Sequence, residues 1–140
     1  MTATAQASRL IPAKADRVWE TLTSREGMKA YMMGADVDTD WKVGSPITMR
    51  GEMNGKAYED KGEVRSFEPR KRLAYTHQSG GQGTEHLVTV ELAPKAGGTE
   101  VTITQANADG RVTDADREHK AQYEKTWSAM LESLEKAVRN

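Results

Sequence analysis

Cysteine is absent from the 140 residues, and phenylalanine occurs once. The first absence excludes disulfides, thiolate metal sites and a Cys nucleophile, and it fits a reducing, cytoplasmic setting. No apolar run comes near the roughly 18 residues that a bilayer span needs. Met1 to Arg9 has no charged segment followed by an apolar one, so it does not read as a secretory signal. An excess of charge is missing too: 20 basic residues face 21 acidic ones. That balance, with a pI near 6.3, speaks against a dedicated nucleic-acid binder. Branched aliphatics are scarce. Leu, Ile, Val and Phe together number only 20, a level at which disorder becomes a concern when net charge is high. Here net charge is −1, so the chain reads as one folded domain over 1–140 whose core leans on seven Met, three Trp and four Tyr.

Periodicity orders the chain. Residues 4–12 read as a strand stopped by Pro12. Ala15, Val18, Trp19 and Leu22 fall at helical spacing. Ser24 is placed to cap a second short helix over 25–31, with Met28, Tyr31 and Met32 on one side and Gly34 after it. Strands are then expected at 35–41, 46–53, 57–68, 72–78, 86–93 and 99–106. Asn54-Gly55 is the strongest turn signal, because this pair takes the positive φ angles of a type I′ hairpin. Val88, Val90 and Leu92 alternate with polar residues, as do Val101 and Ile103, which predicts half-buried antiparallel strands.

The clearest element is the last. Thr113-Asp114-Ala115-Asp116 has the form of a capping box with acids in the first turn. From there to about Val138, an apolar stripe runs through Tyr123, Trp127, Met130, Leu131, Leu134 and Val138. Asp116/Lys120, Glu132/Lys136 and Glu135/Arg139 are spaced as i,i+4 ion pairs on the solvated side. Such a helix is about 37 Å long and can cross a small sheet. The expected architecture is α+β: a curved antiparallel sheet of about seven strands, two short helices after the first strand, and one long C-terminal helix gripped by the sheet. One helix covers so wide a sheet incompletely, which leaves a hollow or a gap filled by Met, Tyr and Trp.

A family resemblance follows from motifs spread along the chain. These are Ile11-Pro12-Ala13, then Arg17 to Thr23 (Arg-Val-Trp-Glu-Thr-Leu-Thr), Gly62-Glu63-Val64, and Pro69 to Thr76. Val88 to Leu92, Gly98 to Thr104, and Trp127 to Leu134 complete the set. In this order and spacing the chain resembles the activator of heat-shock-protein-90 ATPase homologue-like family, of the START/SRPBCC superfamily with its helix-grip, birch-pollen-allergen-like fold. The resemblance implies that fold and adds a stress-related or co-chaperone-like interaction module to the functional possibilities. Tyr31-Met32, His77 and Thr126 depart from residues common in the family, at positions that the resemblance implies would line the cavity.

The candidate sites divide on their chemistry. His77 and His86 flank the Ser79–Thr84 turn symmetrically and should face each other with Cβ atoms about 5 Å apart. Two imidazoles make an incomplete zinc site, which wants a third ligand such as Glu85 or His119, so no metal is expected. Asp36, Asp38 and Asp40 lack the glycine and bidentate Glu of a calcium loop and read as a solvated edge strand. Gly80-Gly81-x-Gly83 has no following helix to make a phosphate loop. Arg65, Arg70, Lys71 and Arg72 lack an aromatic stacking platform for nucleic acid. No Ser sits in a nucleophile context, so no catalytic residue is assigned. The cavity lining is expected from Tyr31, Met49, Tyr58, Tyr75, His77, Tyr123 and Trp127, with Trp19 and Leu22 anchoring the first helix. The function expected is binding of an apolar or amphipathic small molecule between sheet and C-terminal helix, without a cofactor. An enzyme of the cyclase or hydrolase type, with His77 or a Tyr as general acid/base, is the alternative within the same cavity. A protein partner or a homodimer stays open.

Overall fold

The structure is a computed structural model describing residues 4–32, 34–53, 55–78 and 84–139. Strand β1 (Ala5–Ile11) leads into helices α1 (Ala15–Thr23) and α2 (Arg25–Tyr31). Strands β2 (Asp36–Asp38), β3 (Pro46–Met53), β4 (Lys56–Glu68), β5 (Arg72–His77), β6 (His86–Lys95) and β7 (Gly98–Asn107) follow, and α3 (Asp114–Arg139) closes the order. All seven strands form one antiparallel sheet in the order β1-β7-β6-β5-β4-β3-β2. This is the α+β arrangement that the periodicity predicts and the helix-grip fold that the resemblance implies.

Local chemistry accounts for most boundaries. Ser24 both ends α1 and starts α2: its backbone amide donates to the Glu20 carbonyl at 2.9 Å, and its Oγ accepts the Gly27 amide at 3.0 Å. Met53 pairs with Lys56, which leaves a two-residue turn whose Gly55 has φ 80°; Asn54 lies outside the described residues. The strand expected at 35–41 is only Asp36–Asp38. Asp40 Oδ1 accepts the Lys42 amide and Trp41 takes φ 61°, a local turn that ends the pairing. Ser79 to Gly83, including the expected glycine-rich turn, lie outside the described residues.

Helix α3 leans to one side of the concave face. It packs chiefly against β1, α2 and α1. Glu124 accepts the backbone amide of Gln6 at 3.0 Å, and Glu135 pairs with Arg9 at 2.9 Å, so α3 is stapled along the β1 edge. Arg17 Nε donates to the Val138 carbonyl in the last turn, where the helix dipole favours a cation. Leu131, Leu134 and Val138 are buried with Val18, Leu22, Ile11 and Val101 in the common core. Phe67 packs between Trp19 of α1 and Trp41, with ring centroids 5.3 and 5.6 Å apart.

Asp116 departs from its expected role. It is buried rather than paired with Lys120 on the surface. Its Oδ2 accepts the Thr113 amide, the Thr113 hydroxyl and Asn107 Nδ2, while its own amide donates to Thr113 Oγ1. The capping box thus uses the same carboxylate to tie the start of α3 to β7. The ion pairs on α3 among the described residues are Arg117–Asp114 at i,i+3 and Lys120–Glu124, Glu132–Lys136 and Glu135–Arg139 at i,i+4.

Candidate functional site

Because α3 is drawn toward β1, the half of the concave face formed by β3, β4 and β5 is left without a helix over it. A cavity of about 1020 Å³ occupies that space. The apolar stripe of α3 therefore divides: its C-terminal half is core, while Tyr123, Trp127 and Met130 turn toward the cavity. The opposite wall comes from the sheet. Met49 on β3, Tyr58 on β4, Tyr75 on β5 and Val88 on β6 line it, with Met32 and Ala35 at the end nearest α2.

Of the seven residues expected on the wall, Met49, Tyr58, Tyr75, His77, Tyr123 and Trp127 surround this one space. Tyr31 does not. Its ring is buried in the core and its hydroxyl donates to the Leu22 carbonyl at 3.0 Å. The phenol is spent on joining α2 to the end of α1, where a carbonyl of the short α1 needs a partner.

Polar groups converge at one end. Strand register sets His77 opposite His86 and His86 opposite Asn107. The imidazoles stack with centroids 6.4 Å apart, and Tyr123 presents its edge to His86. Asp60 Oδ2 lies 2.8 Å from His77 Nε2, with the two side chains 16% and 24% exposed. Gln105 Nε2 is 3.4 Å from His86 Nδ1, and Gln105 Oε1 accepts the Trp127 indole N–H at 2.8 Å. Burial, then the neighbouring His77, holds the His86 imidazole below its ordinary pKa, against smaller opposing effects of Asp116 and Asn107. Burial alone holds the Tyr75 phenol far above its ordinary range, so it is a donor at neutral pH. Asn107 Oδ1 is the one buried side-chain oxygen or nitrogen without a hydrogen-bond partner among the described residues.

Asp60 and Gln105 escaped the sequence reading, yet a signal existed for both. Asp60 is two residues from Tyr58, and Gln105 is two residues from Ile103, so strand alternation places each on the inward face. Among the described residues no three His, Asp or Glu side chains converge to hold a metal ion. The site is a large, mostly apolar chamber with a few hydrogen-bonding groups at one end, the form typical of small-molecule sites of roughly 300–1,000 Å³.

Comparison with other proteins places the chain. The solution structure of ChR145 from Cytophaga hutchinsonii is 38% identical, with TM-score 0.75, over 100% of this chain and 97% of that one. The crystal structure of MLL2253 from Mesorhizobium loti is 22% identical, with TM-score 0.79, over 96% of each chain. The Aha1 dimer from Colwellia psychrerythraea is 23% identical, with TM-score 0.71, over 99% of this chain and 96% of that one. Among curated proteins nothing matches significantly. No helix of the described residues is long and apolar enough to cross a membrane. The family model described as activator of Hsp90 ATPase homolog 1-like protein matches residues 12–139, and the chain belongs to that family.

Proposed function

We propose that this protein binds an apolar or amphipathic small molecule in the chamber between the sheet and α3. The observation that carries the reading is the chamber itself, about 1020 Å³ walled by Met, Tyr, Val and Trp side chains with polar groups gathered at one end. A ligand burying about 300 Å² of apolar surface there gains about 7 kcal/mol gross. That is short of the ~8 kcal/mol of micromolar binding, and association costs reduce it further, so hydrogen bonds at the polar end must supply part of the affinity. The Met and Tyr walls suit a ligand of variable shape, since thioether chains re-pack at small cost. We place the protein in the cytoplasm, a setting that a cysteine-free chain suits. No feature of the chamber favours a co-chaperone role over ligand binding.

The test pairs native mass spectrometry of protein purified from its own host with tryptophan quenching by fatty acids and aromatic lipids. Trp127 lines the chamber, whereas Trp19 and Trp41 pack against Phe67. Saturable quenching that disappears in Trp127→Phe is the expected result. No co-purifying mass and no saturable quenching across the panel would remove the reading.

A further inference from the structure

The polar end of the chamber is organised as more than a hydrogen-bonding patch. Asp60 on β4 holds His77 Nε2 at 2.8 Å. In the neutral imidazole, a carboxylate accepting from Nε2–H selects the tautomer whose Nδ1 lone pair is bare. No described residue hydrogen-bonds that Nδ1. Tyr75 is two residues earlier on β5, so it leaves the same face of the sheet about 7 Å along the strand. Tyr75 lines the chamber too, and its hydroxyl has no hydrogen-bond partner among the described residues. A bare imidazole nitrogen backed by a carboxylate, beside an unengaged phenol donor in an apolar chamber, has the parts of a base and an oxyanion donor.

We propose that the chamber also transfers protons at carbon: His77 Nδ1 removes a proton from a carbon next to a ligand carbonyl, while Tyr75 donates a hydrogen bond to the carbonyl oxygen. The C–H bond breaks, its electron pair forms the carbon–carbon double bond of the enolate, and the carbonyl π pair moves to oxygen. The proton rests on His77 as an imidazolium against Asp60. Returning it to the same carbon gives isotope exchange, and returning it to a conjugated carbon gives an isomerised ketone. Nothing is oxidised or reduced, and no co-reactant is consumed. The substrate class is an apolar ketone with acidic α-hydrogens. This rests on the ligand-binding reading above. His77 and Tyr75 touch the substrate in this scheme, whereas Asp60 is a positioning residue.

2-Tetralone, an apolar bicyclic ketone, is the probe. Its binding is followed by quenching of Trp127, and its α-deuteration in heavy water by proton NMR. Wild-type protein is expected to exceed an equal concentration of free imidazole by about 10²–10⁴-fold in exchange rate. His77→Gln should lose that excess while still binding, and Tyr75→Phe should lose about tenfold or more. Asp60→Asn should slow exchange and move the nitrogen chemical shifts of His77 toward the Nδ1–H tautomer, a change that mere loosening would not give. The titratable groups sharing the chamber with His77 are Lys56, Tyr58, Asp60, Tyr75, His86 and Tyr123. Of these, an imidazole base predicts a rate that rises with pH through one ionisation assigned to His77 by NMR. Binding without exchange above free imidazole, full exchange in His77→Gln, or an Nδ1–H tautomer in the wild type overturns the proposal and leaves ligand binding intact. No binding of 2-tetralone or of the lipid panel overturns both.

Discussion

Trp127 donates its indole N–H to Gln105 Oε1 at 2.8 Å, joining α3 to β7 across the wall of the chamber. One amide thus bridges two rings, because Gln105 also reaches His86 Nδ1. The indole is only half-buried, in contrast to Leu131 and Leu134 further along the same stripe.

Truncation of these residues should separate chamber from core. Trp127→Ala is expected to cost about 1–2 kcal/mol, below the ~3–5 kcal/mol of a packed Trp, since part of the ring already faces open space. Leu134→Ala, at a site with no solvent exposure, should cost about 2–5 kcal/mol. Urea unfolding of both variants checks the order, and a larger loss at Trp127 than at Leu134 would contradict a hollow chamber.

Acid should weaken the start of α3. Hydrogen bonds from Thr113, then Asn107, hold the Asp116 carboxyl below its ordinary pKa despite its desolvation. A depressed carboxyl pKa adds stability above the unfolded-state value and loses it as pH falls through the folded one. Asp116→Ala should therefore be about 1–2 kcal/mol less stable at pH 7. Its deficit against wild type should shrink as pH drops from about 4 toward 2. Thermal melts along that pH series give the answer, and a deficit independent of pH would show that the charge is not involved.

Two inward-facing glycines should behave differently. A Cβ on Gly62 would overlap the Thr76 backbone carbonyl, which cannot move without breaking the β4–β5 pairing. Gly62→Ala should cost about 3 kcal/mol. A Cβ on Gly51 would meet only the outer end of the Tyr58 ring. Gly51→Ala should change stability by less than about 1 kcal/mol and instead push Tyr58 within the chamber, altering ligand affinity. Chemical denaturation and the quenching titration together distinguish the two outcomes.

Much of this was legible in the residues. The Val88/Val90/Leu92 alternation and the long stripe of α3 each obey a single period, and Gly55 marks its turn by its freedom to take positive φ; β6, α3 and the β3–β4 hairpin followed. The stripe alone could not tell that Leu134 meets core while Trp127 meets space, because periodicity reports a face and not what lies opposite. Asp116 looked like a surface partner for Lys120 since both fit i,i+4 spacing; only the approach of Asn107 from β7 makes it a buried anchor. Tyr31 fails as a wall residue for a similar reason, its hydroxyl being claimed by a carbonyl nine residues earlier. Asp60 sits amid charged residues, and its value arises from a register that brings it diagonal to His77.

The pairing of β1 with β7 sets a schedule for making the molecule. Ile11 meets Thr99 and Ala5 meets Gln105, so the first strand waits for nearly the whole chain before it has a neighbour. On a ribosome β1 emerges first and remains unpaired until β7 has left the exit tunnel, while β3 to β7 can zip in sequence by short hairpins. Closure of so long a loop yields nothing until its last contacts form, which makes this step slow and leaves two open strand edges exposed in the meantime. The staples from Glu124 and Glu135 to β1 arrive later still, on α3. The strand made earliest is among the last secured, and nascent chains halted before residue 99 should be the forms most prone to pair with one another.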